Sequence, residues 1–119
     1  MREKRFKVVF SPAAVRDVER IDVEAAIRLV KDIKTYLEFP PVPFGKSRIK
    51  KMSGFDPDLF RLRSGDFRAY YRIRGEEVII LAVTNRKDSE KRLKRIAEDP
   101  AFLRGPGPSH LLFPTRNGR

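Results

Sequence analysis

Residues 59–84 read Leu59-Phe60-Arg61-Leu62-Arg63-Ser64-Gly65-Asp66-Phe67-Arg68-Ala69-Tyr70-Tyr71-Arg72-Ile73-Arg74-Gly75-Glu76-Glu77-Val78-Ile79-Ile80-Leu81-Ala82-Val83-Thr84. Two short glycine turns, Gly65-Asp66 and Gly75-Glu76, separate three runs rich in β-branched, aromatic and leucine residues. Short turns between alternating runs predict an antiparallel meander with strands at 59–64, 67–74 and 77–84. Simple two-residue hairpins would set Arg63 opposite Arg68, Leu62 opposite Ala69, Arg61 opposite Tyr70 and Phe60 opposite Tyr71. Across the second turn, Ile73 would meet Val78, Tyr71 would meet Ile80 and Ala69 would meet Ala82.

Side chains alternate faces along a strand. One face would then hold Phe60, Leu62, Phe67, Ala69, Tyr71, Ile73, Val78 and Ile80. The other would hold Arg61, Arg63, Arg68, Tyr70 and Arg72. On the third strand this second face reads Ile79, Leu81 and Val83, so it needs its own cover. Strands 59–64 and 67–74 contain five arginines and neither lysine nor acid. Like charges opposed on a sheet destabilise it. Solubility alone is served by lysine, whereas the planar guanidinium grips phosphate with two parallel hydrogen bonds. The pattern therefore points to a phosphate-binding face.

Working outward, Phe6, Val8 and Phe10 alternate as a short strand. Ser11-Pro12 is a helix start, with serine as N-cap and proline at the first helical position. Ala14, Val15, Val18 and Ile21 follow at helical spacing. A second helix, capped by Asp22, carries Val23, Ala26, Ile27, Val30, Ile33 and Leu37 as one apolar stripe, with Arg28, Lys31, Asp32 and Glu38 opposite. Two helices joined so tightly form a hairpin that must pack on something flat. Phe39-Pro40-Pro41-Val42-Pro43 ends the second helix. The basic stretch Lys46, Arg48, Lys50 and Lys51 then runs through Ser53-Gly54 and Asp56-Pro57 and reads as loop. A last helix starts near Asp88 or Ser89 and stops before Asp99-Pro100. Its Leu93 and Ile96 would cover the third strand and set Arg86, Lys87, Lys91 and Arg92 beside the arginines.

The expected fold is α+β. An N-terminal strand and an α-helical hairpin pack on an antiparallel sheet, made of the three-stranded meander plus the first strand, and a C-terminal helix follows. Residues 1–98 form one domain, and the Gly- and Pro-containing 99–119 a flexible tail.

The 119 residues carry 27 Lys+Arg against 16 Asp+Glu, a formal charge of +11, with a sequence pI near 10.4. So basic a domain implies a polyanion or an acidic partner. The chain has no Cys, which excludes disulfides, thiolate metal sites and a Cys nucleophile. The single His, His110, lies in the tail and cannot build a two-histidine nuclease or a His-based metal site. No metal and no cofactor is implied, and no acid pair suggests metal-dependent nuclease chemistry. No apolar run reaches the ~20 residues a membrane span needs, and no apolar signal core follows the charged Met1-Arg-Glu-Lys-Arg. A cytoplasmic protein is expected.

The order strand, helical hairpin, arginine-bearing meander, basic helix resembles the RelE/ParE toxin superfamily, and its RelE-like branch in particular. Three stretches carry the likeness. Ile49-Lys50-Lys51-Met52-Ser53-Gly54 is similar to the family's loop before the meander. Leu59 to Ile73 is similar to its leucine-arginine, glycine-aspartate, aromatic-arginine, tyrosine-arginine core. Val83-Thr84-Asn85-Arg86-Lys87-Asp88 is similar to the end of its last strand. The likeness covers residues 6–95.

The resemblance implies a toxin of a toxin–antitoxin pair, held inactive by a small acidic, RelB-like antitoxin. It implies a ribosome-dependent endoribonuclease that cleaves mRNA without metal, using the ribose 2′-OH as nucleophile. By position, Arg61, Arg68 and Arg86 match the family's basic catalytic residues. Lys50, Lys51, Arg63, Tyr70, Arg72, Lys87, Lys91 and Arg92 are the expected RNA-binding residues around them. Leu59 stands where some members have a second lysine, and Arg92 or a neighbour where many have a C-terminal tyrosine. These departures leave two alternatives: a non-enzymatic inhibitor of DNA gyrase, as in the ParE-like branch, or a weak RNA-binding relic.

Overall fold

The structure, a computed structural model, describes residues 5–44 and 47–99. The chain runs β1 (Lys7–Phe10), α1 (Pro12–Glu19), α2 (Val23–Leu37), β2 (Ile49–Met52), β3 (Leu59–Ser64), β4 (Phe67–Arg74), β5 (Glu77–Asn85), a 3-10 turn (Arg86–Asp88) and α3 (Ser89–Glu98). The α+β class is as expected. Lys46, His110 and the tail beyond residue 99 lie outside the described residues.

The helix starts follow their sequence signals. The Ser11 hydroxyl accepts from the Ala14 amide with Pro12 opening α1, and the Asp22 carboxylate accepts from the Ala25 amide at the start of α2. Both hairpin turns place glycine in the left-handed region, Gly65 at φ +57 and Gly75 at φ +60, where a side chain would clash with the following carbonyl.

The sheet has five strands in the order β1-β5-β4-β3-β2. β1 pairs with β5 in parallel, so the sheet is mixed. β2 is a strand, where sequence reading expected loop. Its four residues pair antiparallel with β3, Lys50 opposite Arg61. It is short, charged and at the sheet edge, where lysines discourage pairing with another chain.

The meander register matches expectation through Ser64↔Phe67 and Phe60↔Tyr71, and again at Tyr71↔Ile80 and Ile73↔Val78. It then shifts. Tyr70 pairs with Ala82 and Ala69 with Val83, leaving Leu81 as the extra residue of a β-bulge. A bulge inserts one residue and reverses the facing of everything beyond it. Leu81 and Ala82 therefore both join the second core, while Val83 turns to the helical hairpin, the reverse of its expected side.

The first core lies between the hairpin and the sheet and joins Ala14, Val18, Leu29, Ile33 and Leu37 to Phe60, Leu62, Ala69, Tyr71, Val78 and Ile80. The stripe of α2 is rotated from the expected one. Leu29 is buried, whereas Val23 and Ile27 are 71% and 63% exposed. A run spaced 29, 33, 37 satisfies helical periodicity as well as one through 23 and 27, and the shorter α1 covers no more of the sheet. The second core, on the opposite face, joins Val9, Met52, Leu59, Tyr70, Ile79, Leu81 and Ala82 to Ile96, with Leu93 packed against it, so α3 covers the third meander strand as anticipated.

Candidate functional site

Alternation along β3 and β4 sends Arg61, Arg63 and Arg68 to the face that α3 leaves open. The bulge in β5 carries the chain into the 3-10 turn that holds Arg86. This residue is fixed at both ends. Its amide donates to the Asp66 carbonyl at 2.7 Å, and its carbonyl accepts from the Ser89 hydroxyl at 3.0 Å. The last strand is thereby tied to the β3–β4 turn, and Arg86 sits beside Arg68.

Arg68 is the centre of the group. Burial, then the positive charges of Arg61, Arg63 and Arg86, push its guanidinium below its ordinary value, with Tyr70 acting the other way. All three arginines are thus within electrostatic reach of Arg68. Its Nη1 donates to the Gly65 and Phe67 carbonyls, each at 3.0 Å, which anchors the planar group over the turn. The Nε of Arg61 is buried with no hydrogen-bond partner. A buried donor left open among like charges is a poor design for stability and a good one for an incoming anion.

The remaining expected residues divide. Lys50 faces Arg61 directly across β2 and β3 and joins the basic face. Lys51, one residue on, opposes Phe60, whose side chain belongs to the hairpin core. It points away from the arginines and pairs with Asp58 at 3.6 Å. Arg72 lies further along β4 on the open face, opposite Ile79, with buried Nε and Nη1 that have no hydrogen-bond partner. Burial, then Arg74, lowers its pKa. Lys87 is exposed beside Asp66, Asn85 and Arg86 around a shallow depression, and Lys91 is exposed on α3.

Two expected residues are not on the surface that was assigned to them. Tyr70 is 2% exposed, its ring inside the second core and its hydroxyl 3.5 Å from the Ser89 carbonyl, so no base can stack on it while α3 is in place. Burial pushes its phenol above the ordinary value, opposed by the Ser89 hydrogen bond and the charges of Arg61 and Arg68. Arg92 is engaged in a bidentate ion pair with Asp17 of α1, Nη1–Oδ1 3.1 Å and Nη2–Oδ2 2.7 Å. Asp17 was missed by sequence reading, since nothing in the sequence pairs positions 75 residues apart. Ser64, whose hydroxyl donates to Asp32 at 2.7 Å, was missed for the same reason.

The arrangement can hold a phosphate diester on one convex face and neutralise charge that builds on it. Among the described residues no group of three His, Cys, Asp or Glu side chains could hold a metal ion, and no helix is long and apolar enough to cross a membrane.

A family model described as the ParE toxin of the type II toxin–antitoxin system parDE matches residues 8–90. Among solved structures, the archaeal RelE–RelB complex from Pyrococcus horikoshii is 26% identical, with a TM-score of 0.57, and the match covers 69% of this chain and 96% of that one. The toxin–antitoxin complex RelBE2 from Mycobacterium tuberculosis is 23% identical with a TM-score of 0.55, covering 68% and 98%. A mutant of the Escherichia coli toxin RelE in the free state is 21% identical with a TM-score of 0.51, covering 77% and 98%. These last two share the fold. No curated protein matches the sequence. The matched segment runs from β1 into α3 and includes every arginine of the cluster, and the chain belongs to the ParE toxin family of type II toxin–antitoxin systems, within the RelE/ParE superfamily.

Proposed function

We propose that this toxin is a ribosome-dependent mRNA endoribonuclease, and that Arg61, Arg68 and Arg86 supply its electrostatic catalysis. The observation that carries the reading is the gathering of Arg61, Arg63 and Arg86 around Arg68 on one open face. In the reaction the ribose 2′-oxygen attacks the adjacent phosphorus and the bond to the 5′-oxygen breaks. The products are a 2′,3′-cyclic phosphate and a free 5′-hydroxyl. Negative charge grows on the non-bridging oxygens, and fixed cations there are worth about 3 kcal/mol per donor. Arginine stays protonated and is no general base, so the cluster stabilises charge and does not move the 2′-proton. Lys50, Arg63 and Arg72 extend the cationic track along which flanking phosphates lie, and Lys87 and Lys91 border it.

A small acidic antitoxin of RelB type is the partner this reading requires. The Pyrococcus horikoshii and Mycobacterium tuberculosis proteins are RelE–RelB-type complexes, and a chain of charge +11 is complementary to an acidic one. Ribosomes as the target place the toxin in the cytoplasm.

Primer extension on translated mRNA after induction tests the reading. Cleavage within codons supports it, and intact transcripts alongside arrested growth refute it. The match to a ParE model favours a second reading, a gyrase inhibitor without nuclease activity. Purified toxin that stabilises cleaved DNA in a gyrase supercoiling assay establishes that alternative, and no effect removes it.

A further inference from the structure

The Asp17–Arg92 pair has no place in phosphate binding, yet it joins three elements. Asp17 lies on α1, in the helical layer, and Arg92 on α3, which covers the opposite face of the sheet. Their side chains are 10% and 15% exposed. Asp17 Oδ2 also accepts from the Val83 amide at 2.9 Å. β1 ends at Phe10, opposite Ile80, so the edge of β5 beyond it has no strand partner on that side. The Ser11 hydroxyl, donating to the Leu81 carbonyl, and the Asp17 carboxylate, accepting from Val83, close that edge. The same carboxylate reaches on to hold α3.

α3 has few other attachments. It is ten residues long, too short to be stable alone. Its N-terminal Asp88 makes no side-chain cap. Its apolar contact is through Ile96 and Leu93, and its hydrogen bond from Tyr70 is long at 3.5 Å. Arg92 is therefore its main polar anchor. It lies one helical turn beyond Ser89, whose hydroxyl holds the Arg86 carbonyl.

We infer that Asp17, on the face of the sheet away from the arginine cluster, is a positioning residue for Arg86, acting through Arg92 and the start of α3. The inference rests on the nuclease reading for its rate prediction and on geometry alone for its second readout. Preorganised charge is effective only while it is held in place. A loosened α3 frees the Arg86 backbone and with it the guanidinium beside Arg68.

The test is a double-mutant cycle on purified toxin. Asp17→Asn keeps an oxygen for the Val83 amide but cannot hold Arg92 by both nitrogens as an ion pair. It should lower kcat for mRNA on programmed ribosomes about tenfold with KM within about twofold, well below its melting temperature. Asp17→Glu should recover part of the rate. In an Arg86→Ala background Asp17→Asn should have no further effect on kcat, because the group it positions is gone. Additive losses, or a lowered melting temperature with unchanged kcat, overturn the inference. Hydrogen exchange at the Arg86 amide, which donates to Asp66, gives the readout that needs no catalysis. It should speed at least about tenfold in Asp17→Asn while core amides of β4 keep their protection. Unchanged exchange at Arg86 overturns the inference whether or not the wild type cleaves RNA, whereas wild type that leaves mRNA intact counts against the nuclease reading alone.

Discussion

Arg63 and Arg68 stand directly opposite one another across β3 and β4. Two like charges at paired positions repel, by a few tenths of a kcal/mol to about 1. Arg63→Thr should therefore raise stability in urea by about 0.5 kcal/mol at low salt, the gain shrinking as salt screens the pair. The same variant should bind single-stranded RNA more weakly. A variant that is no more stable at low salt contradicts the repulsion, and one that binds RNA as well as wild type removes Arg63 from the track.

Lys50 and Lys51 are adjacent in sequence and point to different sides of the sheet. Lys50→Ala should weaken RNA binding and reduce the slope of log K against log salt by about 0.7, the release expected for one single-strand phosphate contact. Lys51→Ala, which removes only the partner of Asp58, should leave slope and affinity unchanged. Fluorescence titration at four salt concentrations separates them. Equal effects would contradict the register of β2.

Burial pushes the phenols of Tyr70 and Tyr71 up, and the Tyr71 hydroxyl donates to the Pro41 carbonyl at 2.8 Å. The unfolded chain releases these protons near pH 10, while the folded chain keeps them to higher pH. Above about pH 10 the unfolded state binds fewer protons, so stability falls as pH rises. Urea midpoints should be flat between pH 8 and 9.5 and drop beyond. Tyr71→Phe should be less stable at pH 8, having lost the Pro41 bond, yet show a shallower decline. A decline of unchanged steepness would assign the loss elsewhere.

Arg92→Ala leaves Asp17 buried beside Val83 with an unpaired charge. Breaking a buried pair on one side typically costs about 3 to 5 kcal/mol, a large part of the stability of a domain this size. Because Asp17 keeps the Val83 amide, the lower figure, about 3 kcal/mol, is expected from urea unfolding. A loss below about 1 kcal/mol would mean that α3 is held mainly by Ile96 and Leu93.

Much of the scaffold was legible in the residues. Ser11-Pro12 and Asp22 marked helix starts because capping is local chemistry. Gly65 and Gly75 marked the hairpins because left-handed backbone selects glycine, and those turns set the β3–β4 register that opposes Arg63 to Arg68. Three features were hidden. β2 has only four residues, two of them lysine, so no alternation distinguishes it from loop. The bulge at Leu81 has no signature within an unbroken apolar run, and without it Val83 cannot be placed on its proper face. The burial of Tyr70 and the capture of Arg92 depend on where α3 lands, which is set by contacts distant in sequence. The candidate site followed the same division. Arg61, Arg63 and Arg68 follow from strand alternation, whereas Lys51, Tyr70 and Arg92 required tertiary structure.

The central claim is that the arginine cluster stabilises charge in RNA cleavage on the ribosome. Its most direct measurement is the end chemistry and rate of mRNA cleavage by purified toxin on programmed ribosomes, for wild type, Arg68→Ala and Arg86→Ala, each checked for folding by thermal melting. The account predicts downstream fragments with a free 5′-hydroxyl, and rates lowered about a hundredfold in each folded variant. Intact mRNA with wild type, 5′-phosphate ends, or alanine variants as fast as wild type would contradict it.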